Sequence, residues 1–493
     1  MSRPNILLIV SDQERQRGWL PPSVRLPWRE RLLAEGLEFT NHYTHSSPCS
    51  PSRASLFTGR YLPQHGVVDN VIMPEHTELD PAIPTIGSVL RDAGYRSSYI
   101  GKWHLSQSPA PDMAAYGFMD WEGNDRHFMG WAGTGVHFDP IIAANAAAWL
   151  RDHATTLDRP WFLTVALVNP HDVMWFPIDQ PWYAERNPDD VRRARRVLEW
   201  AKWKEDDVLP VYGAPYDEVC DELPPNFGDD LLDKPTAQRQ WRWDQQHGLW
   251  GYIDPADTKT WLRHLDYYVE LHRLADESLG TVLTALEESG AYDDTIVIFT
   301  SDHGDMCGSH GLRSKGPFVY EEIMNVPLYV RVPGTTTAGT RTDALATHVD
   351  LATTIASLAG ADTSAFRGVD LAPVFADPTA TVRDHVLFAH DTAHTDRINQ
   401  TRYAIRGFFD GRTKYARYYG VGGGKPATGL WGKEPGKKLY DVDAAFEDQE
   451  HEWYDHSDDP HEVVNLAHDR GRRAELREHF ERLLEYEAVE LSS

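Results

Sequence analysis

The clearest pattern along the chain is a series of short, almost continuous apolar runs, separated by longer stretches in which apolar positions recur with helical spacing. The first run is Asn5–Val10, which closes with Ser11 and Asp12. Apolar runs of this length predict strands that are buried on both faces of a sheet. Further strands are predicted at Ser97–Ile100, Trp161–Val168, Thr295–Thr300 and Leu328–Val332, and helices near Pro84–Ala93, Pro140–His153 and Lys259–Ser289. This alternation predicts an α/β fold with a mostly parallel sheet between helices.

Residues 172–258 interrupt the alternation, because they are rich in Trp, Asp and Pro. We expect them to form an insertion near the pocket at the edge of the sheet. One interpretation is a surface subdomain or an oligomer contact. The other is a lid whose aromatic walls select the substrate. The sequence favours neither.

Beyond residue 375 the pattern changes to short alternating segments, which are typical of antiparallel strands. A helix is predicted after them at Arg472–Tyr486, and the strand segments are VLFAH, YAIRGFFDGRTKYARYYG and KKLYDV. We therefore expect a large catalytic domain over residues 1–375. Residues 376–493 are expected to form a small C-terminal domain with an antiparallel sheet and a terminal helix.

Polar and ionisable residues directly follow four of the predicted strands. They form the segments SDQ at 11–13, GKWH at 101–104, NPHD at 169–172 and SDHGD at 301–305. Because parallel strands end at the same edge of a sheet, ligands gather there. The four segments therefore predict one pocket.

The chain is acidic, with 48 Lys and Arg against 75 Asp and Glu and a net charge of −27. This field repels nucleic acid and acidic membrane surfaces, and no apolar run is long enough to cross a bilayer. We expect neither kind of partner. If the substrate is an anion, cations inside the pocket must overcome the field.

Two observations bear on the compartment. The N-terminal apolar run ends in an acid and lacks a small-residue cleavage site, so a buried strand explains it better than a signal peptide. The three cysteines, Cys49, Cys220 and Cys307, are an odd number without metal-finger spacing, which fits a reducing compartment. We therefore expect a cytoplasmic protein.

Cys49 lies in the segment CSPSRASLFTG, which has the pattern of a helix N-terminus. Pro51 suits the first turn, Ser50 can cap it, and Arg53–Phe57 can continue it. A helix N-terminus presents unpaired N–H groups and a positive dipole end, which stabilise negative charge on a side chain or a bound oxyanion. A structural cysteine would gain nothing from this position.

The segment Cys-x-Pro-Ser-Arg followed by Ala-Ser-Leu-Phe-Thr-Gly-Arg closely resembles the signature of the formylglycine-dependent sulfatases, within the alkaline phosphatase-like superfamily. The resemblance spans nearly the whole chain and includes EWYDHSDDPHEVVNLAHD, where Trp453 replaces a family leucine. It implies an alkaline phosphatase-like fold and the oxidation of Cys49 to formylglycine by a formylglycine-generating enzyme. One hydroxyl of the hydrated aldehyde can attack sulfur, and the other can later expel sulfate. An unmodified thiol is the alternative.

The resemblance also implies one divalent cation, held by Asp12, Gln13, Asp302, His303 and the modified Cys49. In the commonest family pattern a second acid stands at position 13 and an Asn at position 303. Gln13 and His303 at these two positions resemble the residues of choline sulfatases and phosphonate monoester hydrolases. Calcium is expected, and the imidazole admits manganese. The alternative to a metal site is that Asp12 and Asp302 only cap adjacent helices.

The catalytic and binding roles follow from the same resemblance. Lys102 and Lys315 are expected to hold the sulfate oxygens, and Arg53 to steady the modified Cys49. His104 would accept a proton, and His171 would bind near the ester oxygen and protonate the leaving alcohol. Two further residues are assigned with less support. Asn70 is either a substrate contact or a turn residue, and His310 is expected to support Lys315.

The sequence therefore predicts a sulfatase that hydrolyses a sulfate monoester to an alcohol and inorganic sulfate. An aromatic cage in the insertion would suit choline-O-sulfate, although aryl, sugar and alkyl esters fit as well. The alternatives are a phosphonate monoester or phosphodiester hydrolase with the same nucleophile, and a non-catalytic binding protein with unmodified Cys49. A homo-oligomer remains open.

Overall fold

The computed structural model describes residues 3–72, 76–106, 113–121, 130–200, 214–247, 250–392, 401–419, 422–423 and 442–492. Its strands are β1 (Asn5–Asp12), β2 (Leu37–Phe39), β3 (His42–Tyr43), β4 (Arg96–Gly101), β5 (Trp161–Pro170), β6 (Thr295–Ser301), β7 (Leu328–Arg331), β8 (Thr340–Thr342), β9 (Ala346–Thr347), β10 (Val386–Thr392), β11 (Thr401–Phe409), β12 (Thr413–Tyr418), β13 (Gly422–Gly423) and β14 (Glu450–Asp455). Its helices are α1 (Pro27–Glu35), α2 (Cys49–Thr58), α3 (Leu62–His65), α4 (Ile86–Asp92), α5 (Thr134–His153), α6 (Pro181–Arg186), α7 (Pro188–Trp200), α8 (Thr236–His247), α9 (Thr258–Glu288), α10 (Glu321–Met324), α11 (His348–Leu358), α12 (Ala372–Ala376) and α13 (Arg473–Tyr486).

Seven strands form the central sheet, in the order β4-β5-β1-β6-β7-β2-β8. β1 lies in its interior and is parallel to both neighbours, with Ile6 paired to Phe162 of β5 and to Ile296 of β6. β7 is antiparallel to both β6 and β2. The predicted α/β class with a mostly parallel sheet is confirmed.

Alternate side chains of β1 enter two different cores. Ile6, Leu8 and Val10 pack in the core that includes residues of α2, α4 and α11. Leu7 and Ile9 pack on the other face, in the core that includes residues of α1, α5 and α9. Because both faces of the strand are covered, every position must be apolar, and the sequence therefore lacks alternation there.

Helices α4 and α9 lie within two residues of their predicted bounds, but α5 begins at Thr134, six residues before the predicted start at Pro140. The prediction took Pro140 as the first helical residue, whereas it lies inside the helix. The true first turn is stabilised by Asp172, whose carboxylate accepts a hydrogen bond from the Val136 N–H at 2.9 Å. This cap comes from a distant part of the chain, so the local sequence did not reveal it.

The second sheet is antiparallel, in the order β10-β11-β12-β14, with β13 paired to β11. Helix α13 covers it through an apolar cluster that includes Phe408, Tyr415, Trp453, Phe480 and Leu483. The predicted C-terminal antiparallel sheet with a helix is confirmed. Residues 437–441 of the predicted KKLYDV strand lie outside the described residues, as do 201–213 and 248–249 of the insertion. Among the described helices, none combines the length and hydrophobicity needed to cross a membrane.

Candidate active site

Cys49 is the first residue of α2, so its predicted place at a helix N-terminus agrees with the structure. Pro48 precedes the helix, and its carbonyl accepts a hydrogen bond from the Ser52 N–H at 3.2 Å. Gly59 ends the helix in the left-handed region, with φ of 56°, a conformation that glycine adopts without a steric penalty.

The prediction that Ser50 caps this helix is wrong. Ser50 lies inside the first turn, where its hydroxyl donates to the carbonyl of His104 at 2.5 Å. A cap must precede the first helical residue, and Ser50 follows it. The side-chain oxygen of Asn70 instead accepts a hydrogen bond from the Ser50 N–H at 3.0 Å. Asn70 thus supports the start of α2, and its contact with substrate stays a prediction.

Four ionisable side chains converge at the C-terminal edge of the central sheet. Ligand atoms of Asp12, Cys49, Asp302 and His303 all lie within 4.8 Å of one another. The Sγ of Cys49 is 3.2 Å from Nε2 of His303 and 3.7 Å from Oδ1 of Asp12. All four residues are fully buried. The structure therefore brings together four of the five predicted metal ligands.

Pairing of β1 with β6 creates this convergence. Ser11 and Ser301 are partners at the ends of the two strands, so Asp12 and Asp302 follow side by side. The Asp302 carboxylate accepts hydrogen bonds from the N–H groups of Gln13, at 3.1 Å, and His303, at 2.9 Å. These bonds fix the loop that follows each strand.

The donor atoms of this cluster fit a divalent cation. The Nδ1 of His303 is 2.9 Å from the Gly304 carbonyl, so it carries the proton and leaves the Nε2 lone pair facing Cys49. Burial lowers the pKa of His303, which keeps the ring neutral. Two carboxylates and a neutral imidazole are ligands that calcium and manganese accept.

Arg53 and Lys102 balance the charge of the two carboxylates. The guanidinium of Arg53 lies 2.9 Å from Asp12 and 2.9 Å from Asp302, and it donates to the Lys102 carbonyl at 2.8 Å. The Lys102 ammonium is 2.7 Å from Oδ2 of Asp12 and 3.9 Å from the Cys49 sulfur. Both cations are fully buried, so they act where water does not screen them.

The two carboxylates respond differently to these surroundings. Burial opposes ionisation of Asp12, but the charges of Lys102 and Arg53 outweigh burial and hold its pKa well below the usual value. Burial and the Asp12 charge raise the pKa of Asp302. Neighbouring carboxylates resist ionising together, and a cation between them relieves the repulsion.

Lys315 reaches the same site from the loop after β6. Its ammonium donates a hydrogen bond to Oε1 of Gln13, and Nε2 of Gln13 donates to the Asp305 carboxylate at 2.5 Å. Lys315 is 5% exposed, and the other two are fully buried. Gln13 as a direct metal ligand stays a prediction, since its amide oxygen here accepts from Lys315.

His104 and His171 lie in the same buried region. Burial, followed by the charge of Lys102, lowers the pKa of His104 well below its usual value. Burial, followed by the charges of Lys315 and Lys102, does the same for His171. Both imidazoles are therefore neutral in the free protein, and both lysines act on His171.

Gly130 connects His171 to an aromatic cluster. Gly130 packs against the His171 ring so closely that a Cβ there would lie 2.3 Å away, and the Gly130 carbonyl accepts a hydrogen bond from the Trp175 indole at 2.8 Å. Trp175 belongs to an apolar cluster with Trp131 and Trp250, against which Ile72 packs. Part of the tryptophan-rich insertion thus lies beside the predicted leaving-group histidine.

His310, which is expected to support Lys315, contacts the insertion through its side chain. Its Nδ1 is 2.7 Å from the carboxylate of Asp229 in the insertion, and its ring stacks on Tyr320. The structure therefore links His310 to the insertion. A supporting effect on Lys315 stays a prediction.

A second group of possible ligands, separate from the group at Cys49, consists of Glu321, His456 and Glu462. The ammonium of Lys414 lies 2.6 Å from Glu321 and 2.7 Å from Glu462, and it is fully buried. A protein cation therefore already occupies the position between the carboxylates. We interpret this group as a structural ion cluster.

Sequence reasoning missed two residues at the active site, Asp305 and Tyr268. Asp305 stands inside the segment SDHGD, so its position after a strand was a usable signal. Tyr268 lies in α9, and its hydroxyl donates to the Gln13 carbonyl at 2.5 Å. Nothing in the local pattern of a long amphipathic helix distinguishes such a residue from the core.

The family model described as Sulfatase matches residues 4–361. The chain belongs to the sulfatase family. A second model, described as N-sulphoglucosamine sulphohydrolase, C-terminal, matches residues 308–422. The resemblance stated from the sequence is thereby confirmed, and the enzyme is a sulfuric ester hydrolase.

Two relatives illustrate the range of this similarity. The uncharacterized sulfatase YidJ of Escherichia coli is 28% identical over 390 residues, covering 73% of this chain and 68% of its own. The choline-sulfatase of Rhizobium meliloti is 28% identical over 417 residues, covering 76% and 71%.

Solved structures share the fold across the whole chain. A 2-O GAG sulfatase aligns with a TM-score of 0.73 at 22% identity, covering 100% of this chain and 93% of its own. A phosphonate monoester hydrolase of Silicibacter pomeroyi aligns with a TM-score of 0.69 at 22% identity, covering 99% and 96%. At this identity the likeness concerns the fold alone.

Proposed function

We propose that this sulfatase hydrolyses a sulfate monoester to an alcohol and inorganic sulfate, using a formylglycine made from Cys49 and one divalent cation. The observation that carries the proposal is the position of Cys49, which starts α2 and lies among Asp12, Asp302 and His303. The sulfur stands where an oxygen of the converted residue would lie. After conversion, the hydrated aldehyde supplies one hydroxyl for attack on sulfur and another for release of sulfate.

Lys102 and Lys315 are the proposed sulfate-binding residues. They approach from different strands, and both lower the pKa of His171, so their charges converge on one region. An anionic ester must enter a protein with a net charge of −27. Two ammonium groups, each at most 5% exposed, supply the local attraction that the overall field lacks.

The proposed proton transfers use the two neutral histidines. His104 can accept a proton when sulfate is released, because burial and Lys102 keep its ring unprotonated. His171 must instead donate a proton to the leaving alcohol. An anionic ester between Lys102 and Lys315 offsets the charges that lower the pKa of His171, and it therefore favours the protonated ring.

Asp12, Asp302, His303 and converted Cys49 would hold the cation, with Gln13 as a fifth proposed ligand. When bound, the ion stabilises negative charge on oxygens of the reacting group. We propose calcium, because carboxylate oxygens dominate the donor set. Manganese is the second choice, because of the imidazole.

The aromatic cluster of Trp131, Trp175 and Trp250 supports an apolar or cationic leaving group. Aromatic faces attract quaternary ammonium groups, so a choline-sulfatase-like specificity is one form of the proposal. Its further support is the 28% identity to a choline-sulfatase. Aryl and sugar alcohols would also stack on such a wall.

A second candidate is a phosphonate monoester hydrolase with the same nucleophile. It is supported by Gln13 and His303, which replace the acid and the amide of the commonest family pattern. The buried Lys102 and His104 favour a sulfate monoester, whose single negative charge is shared by three non-bridging oxygens. A phosphonate monoester or phosphodiester carries the same charge on two non-bridging oxygens, so it offers one oxygen fewer for two lysines to hold.

Intact-protein mass spectrometry tests the nucleophile. Enzyme produced in its native host should have the lower mass of an aldehyde in place of the thiol, and a thiol-alkylating reagent should not label position 49. Alkylation at Cys220 in the denatured protein is the internal control. Active enzyme that carries only a labelled thiol at position 49 contradicts the proposal.

A substrate panel then separates the two candidates. Aryl, alkyl, sugar and choline sulfates are compared with phosphonate monoesters and phosphodiesters at equal metal occupancy. The proposal expects the highest kcat/KM on a sulfate ester. A higher value on a phosphonate monoester than on every sulfate ester selects the second candidate.

A further inference from the structure

We propose that Asp305 is a positioning residue that fixes the orientation of the Gln13 amide and, through that amide, holds the Lys315 ammonium. The inference rests on the proposed role of Lys315 in sulfate binding. It adds a residue that touches neither substrate nor the reacting atoms.

The three side chains form a directional chain of hydrogen bonds. Nε2 of Gln13 donates to Oδ2 of Asp305 at 2.5 Å, and Oε1 of Gln13 accepts from the ammonium of Lys315. An amide nitrogen only donates, an amide oxygen only accepts, a carboxylate accepts, and an ammonium donates. Only one of the two amide orientations therefore satisfies both neighbours.

The opposite amide orientation would be costly. It would place Oε1 of Gln13 against the Asp305 carboxylate and Nε2 against the Lys315 ammonium. Gln13 and Asp305 are fully buried, so water cannot compensate these repulsive contacts. Asp305 thus selects the orientation that presents an acceptor to Lys315.

The Asp305 end of the chain is anchored. Oδ1 of Asp305 accepts a hydrogen bond from the Cys307 N–H at 2.6 Å. The preceding Gly304 packs against the Glu322 carbonyl, where an added Cβ would lie 1.9 Å from the oxygen. The loop that carries Asp305 therefore has little room to shift.

The backbone of Gln13 is fixed as well. Its φ is 68°, in the left-handed region that a glutamine rarely adopts. Its N–H donates to Asp302 at 3.1 Å, and its carbonyl accepts from the Tyr268 hydroxyl at 2.5 Å. With both backbones held, a change at position 305 acts on the amide rather than being absorbed by the loop.

Gln13 and Asp305 are therefore a matched pair. A carboxylate at position 13, as in the commonest family pattern, would face the Asp305 carboxylate across the distance that Nε2 now spans. Gln13→Glu alone should introduce that repulsion. Gln13→Glu combined with Asp305→Asn should remove it, because the amide introduced at position 305 can donate to one oxygen of the new carboxylate while the other oxygen still accepts from Lys315.

The experiment is a double-mutant cycle read out by isothermal titration of inorganic sulfate into the full-length protein, with melting temperature and metal content measured in parallel. Gln13→Glu and Asp305→Ala should each weaken sulfate binding by about tenfold or more, while the Gln13→Glu/Asp305→Asn pair should recover to within about threefold of wild type. Asp305→Asn alone should also weaken sulfate binding by about tenfold, because its single amide oxygen accepts from the Cys307 N–H and its amide nitrogen then faces the Gln13 donor. Asp266→Ala, another buried carboxylate that accepts backbone N–H groups, is the matched control and should leave sulfate affinity unchanged.

Three outcomes overturn the inference. They are wild-type sulfate affinity in Asp305→Ala, strictly additive losses in the cycle, and a loss that added Ca²⁺ fully restores. If Gln13→Glu does not fold, Asp305→Ala and Asp305→Asn still decide the result. Lys315→Ala tests the role of Lys315 separately from the role of Asp305. Wild-type sulfate affinity in that variant contradicts the proposed role of Lys315 itself, whatever Asp305 does.

Discussion

Two clusters in the described chain, one fully buried and one partly buried, combine a lysine, two carboxylates and a histidine. At the active site they are Lys102, Asp12, Asp302 and His303. Beneath the C-terminal sheet they are Lys414, Glu321, Glu462 and His456. The functional groups are alike, but the clusters differ in which carboxylate oxygens the protein's own cations bind.

In the C-terminal cluster, Lys414 lies between Glu321 and Glu462, at 2.6 Å and 2.7 Å. The rings of Tyr43, Phe388 and Phe409 surround the same ammonium, with centroids at 5.9, 5.9 and 5.6 Å. The protein itself supplies the positive charge there.

At the active site the lysine lies to one side. Lys102 and Arg53 bind Oδ2 of Asp12, and Arg53 also binds Oδ2 of Asp302, while Oδ1 of Asp12 faces Cys49. The Nε2 of His303 also faces Cys49. Charge composition alone therefore does not identify a metal site. The placement of the cations decides whether the ligand atoms face one another or an ammonium.

The largest expected difference between the clusters is in their effect on catalytic activity. Cys49→Ala should reduce kcat/KM by about 10⁴-fold or more, because it removes the proposed nucleophile. The free energy of unfolding should change by only about 1–2 kcal/mol, since one small buried side chain is shortened. Steady-state kinetics and urea unfolding measure the two quantities. Cys220→Ala is the control and should retain the wild-type rate; comparable rates in both variants would remove Cys49 from the mechanism.

The C-terminal cluster should respond in stability. Lys414→Met leaves the buried Glu462 and the partly exposed Glu321 without their cation, and it should lower the free energy of unfolding by about 3–5 kcal/mol. The turnover number of the folded fraction and its metal content should stay as in wild type. Lys259→Met, at an exposed lysine of α9, is the control for the substitution itself. A lost ion or an unchanged stability in Lys414→Met would contradict the structural interpretation of this cluster.

Lys315→Ala tests the active-site cations without removing the nucleophile. It should lower kcat/KM by about 10²–10³-fold, on the scale of losing one donor to a developing negative charge. Lys234→Ala removes a lysine that is also buried but contacts the C-terminal region through the Glu462 carbonyl. That variant should lose stability and keep its rate per folded molecule. Equal rate losses in both would show that Lys315 acts through the fold.

The sequence could predict the elements that are buried strands and the residues that directly follow them. The central strands were predictable because burial on both faces makes β1 and its neighbours continuously apolar. Asp12, Lys102, His171 and Asp302 were predictable because each directly follows such a strand. Their convergence is a consequence of parallel pairing, which the alternation of strands and helices already indicates.

Other features depend on contacts between distant segments. Glu321, Lys414 and Glu462 follow no parallel strand, so no local pattern brings them together. The first turn of α5 donates a hydrogen bond to Asp172, and the Gln13 carbonyl accepts one from Tyr268. Tertiary contacts of this kind override local preferences, and the sequence alone does not record them.

The smallest expected effect is the pH dependence of the C-terminal cluster. Burial alone would raise the pKa of Glu462, but the charges of Lys414 and His456 outweigh burial and lower it from 4.5 to about 2. A carboxylate whose pKa is lowered by folding stabilises the fold above its unfolded pKa, and this contribution is lost as pH falls toward the folded pKa. Between about pH 4.5 and about pH 3 the loss should be about 2 kcal/mol. Urea unfolding at several pH values, compared with Glu462→Gln, should show the stability difference between the two proteins shrinking by that amount. The exposed Glu478→Gln variant should instead follow wild type at every pH, and a constant gap for Glu462→Gln would mean that the ion cluster does not contribute to acid sensitivity.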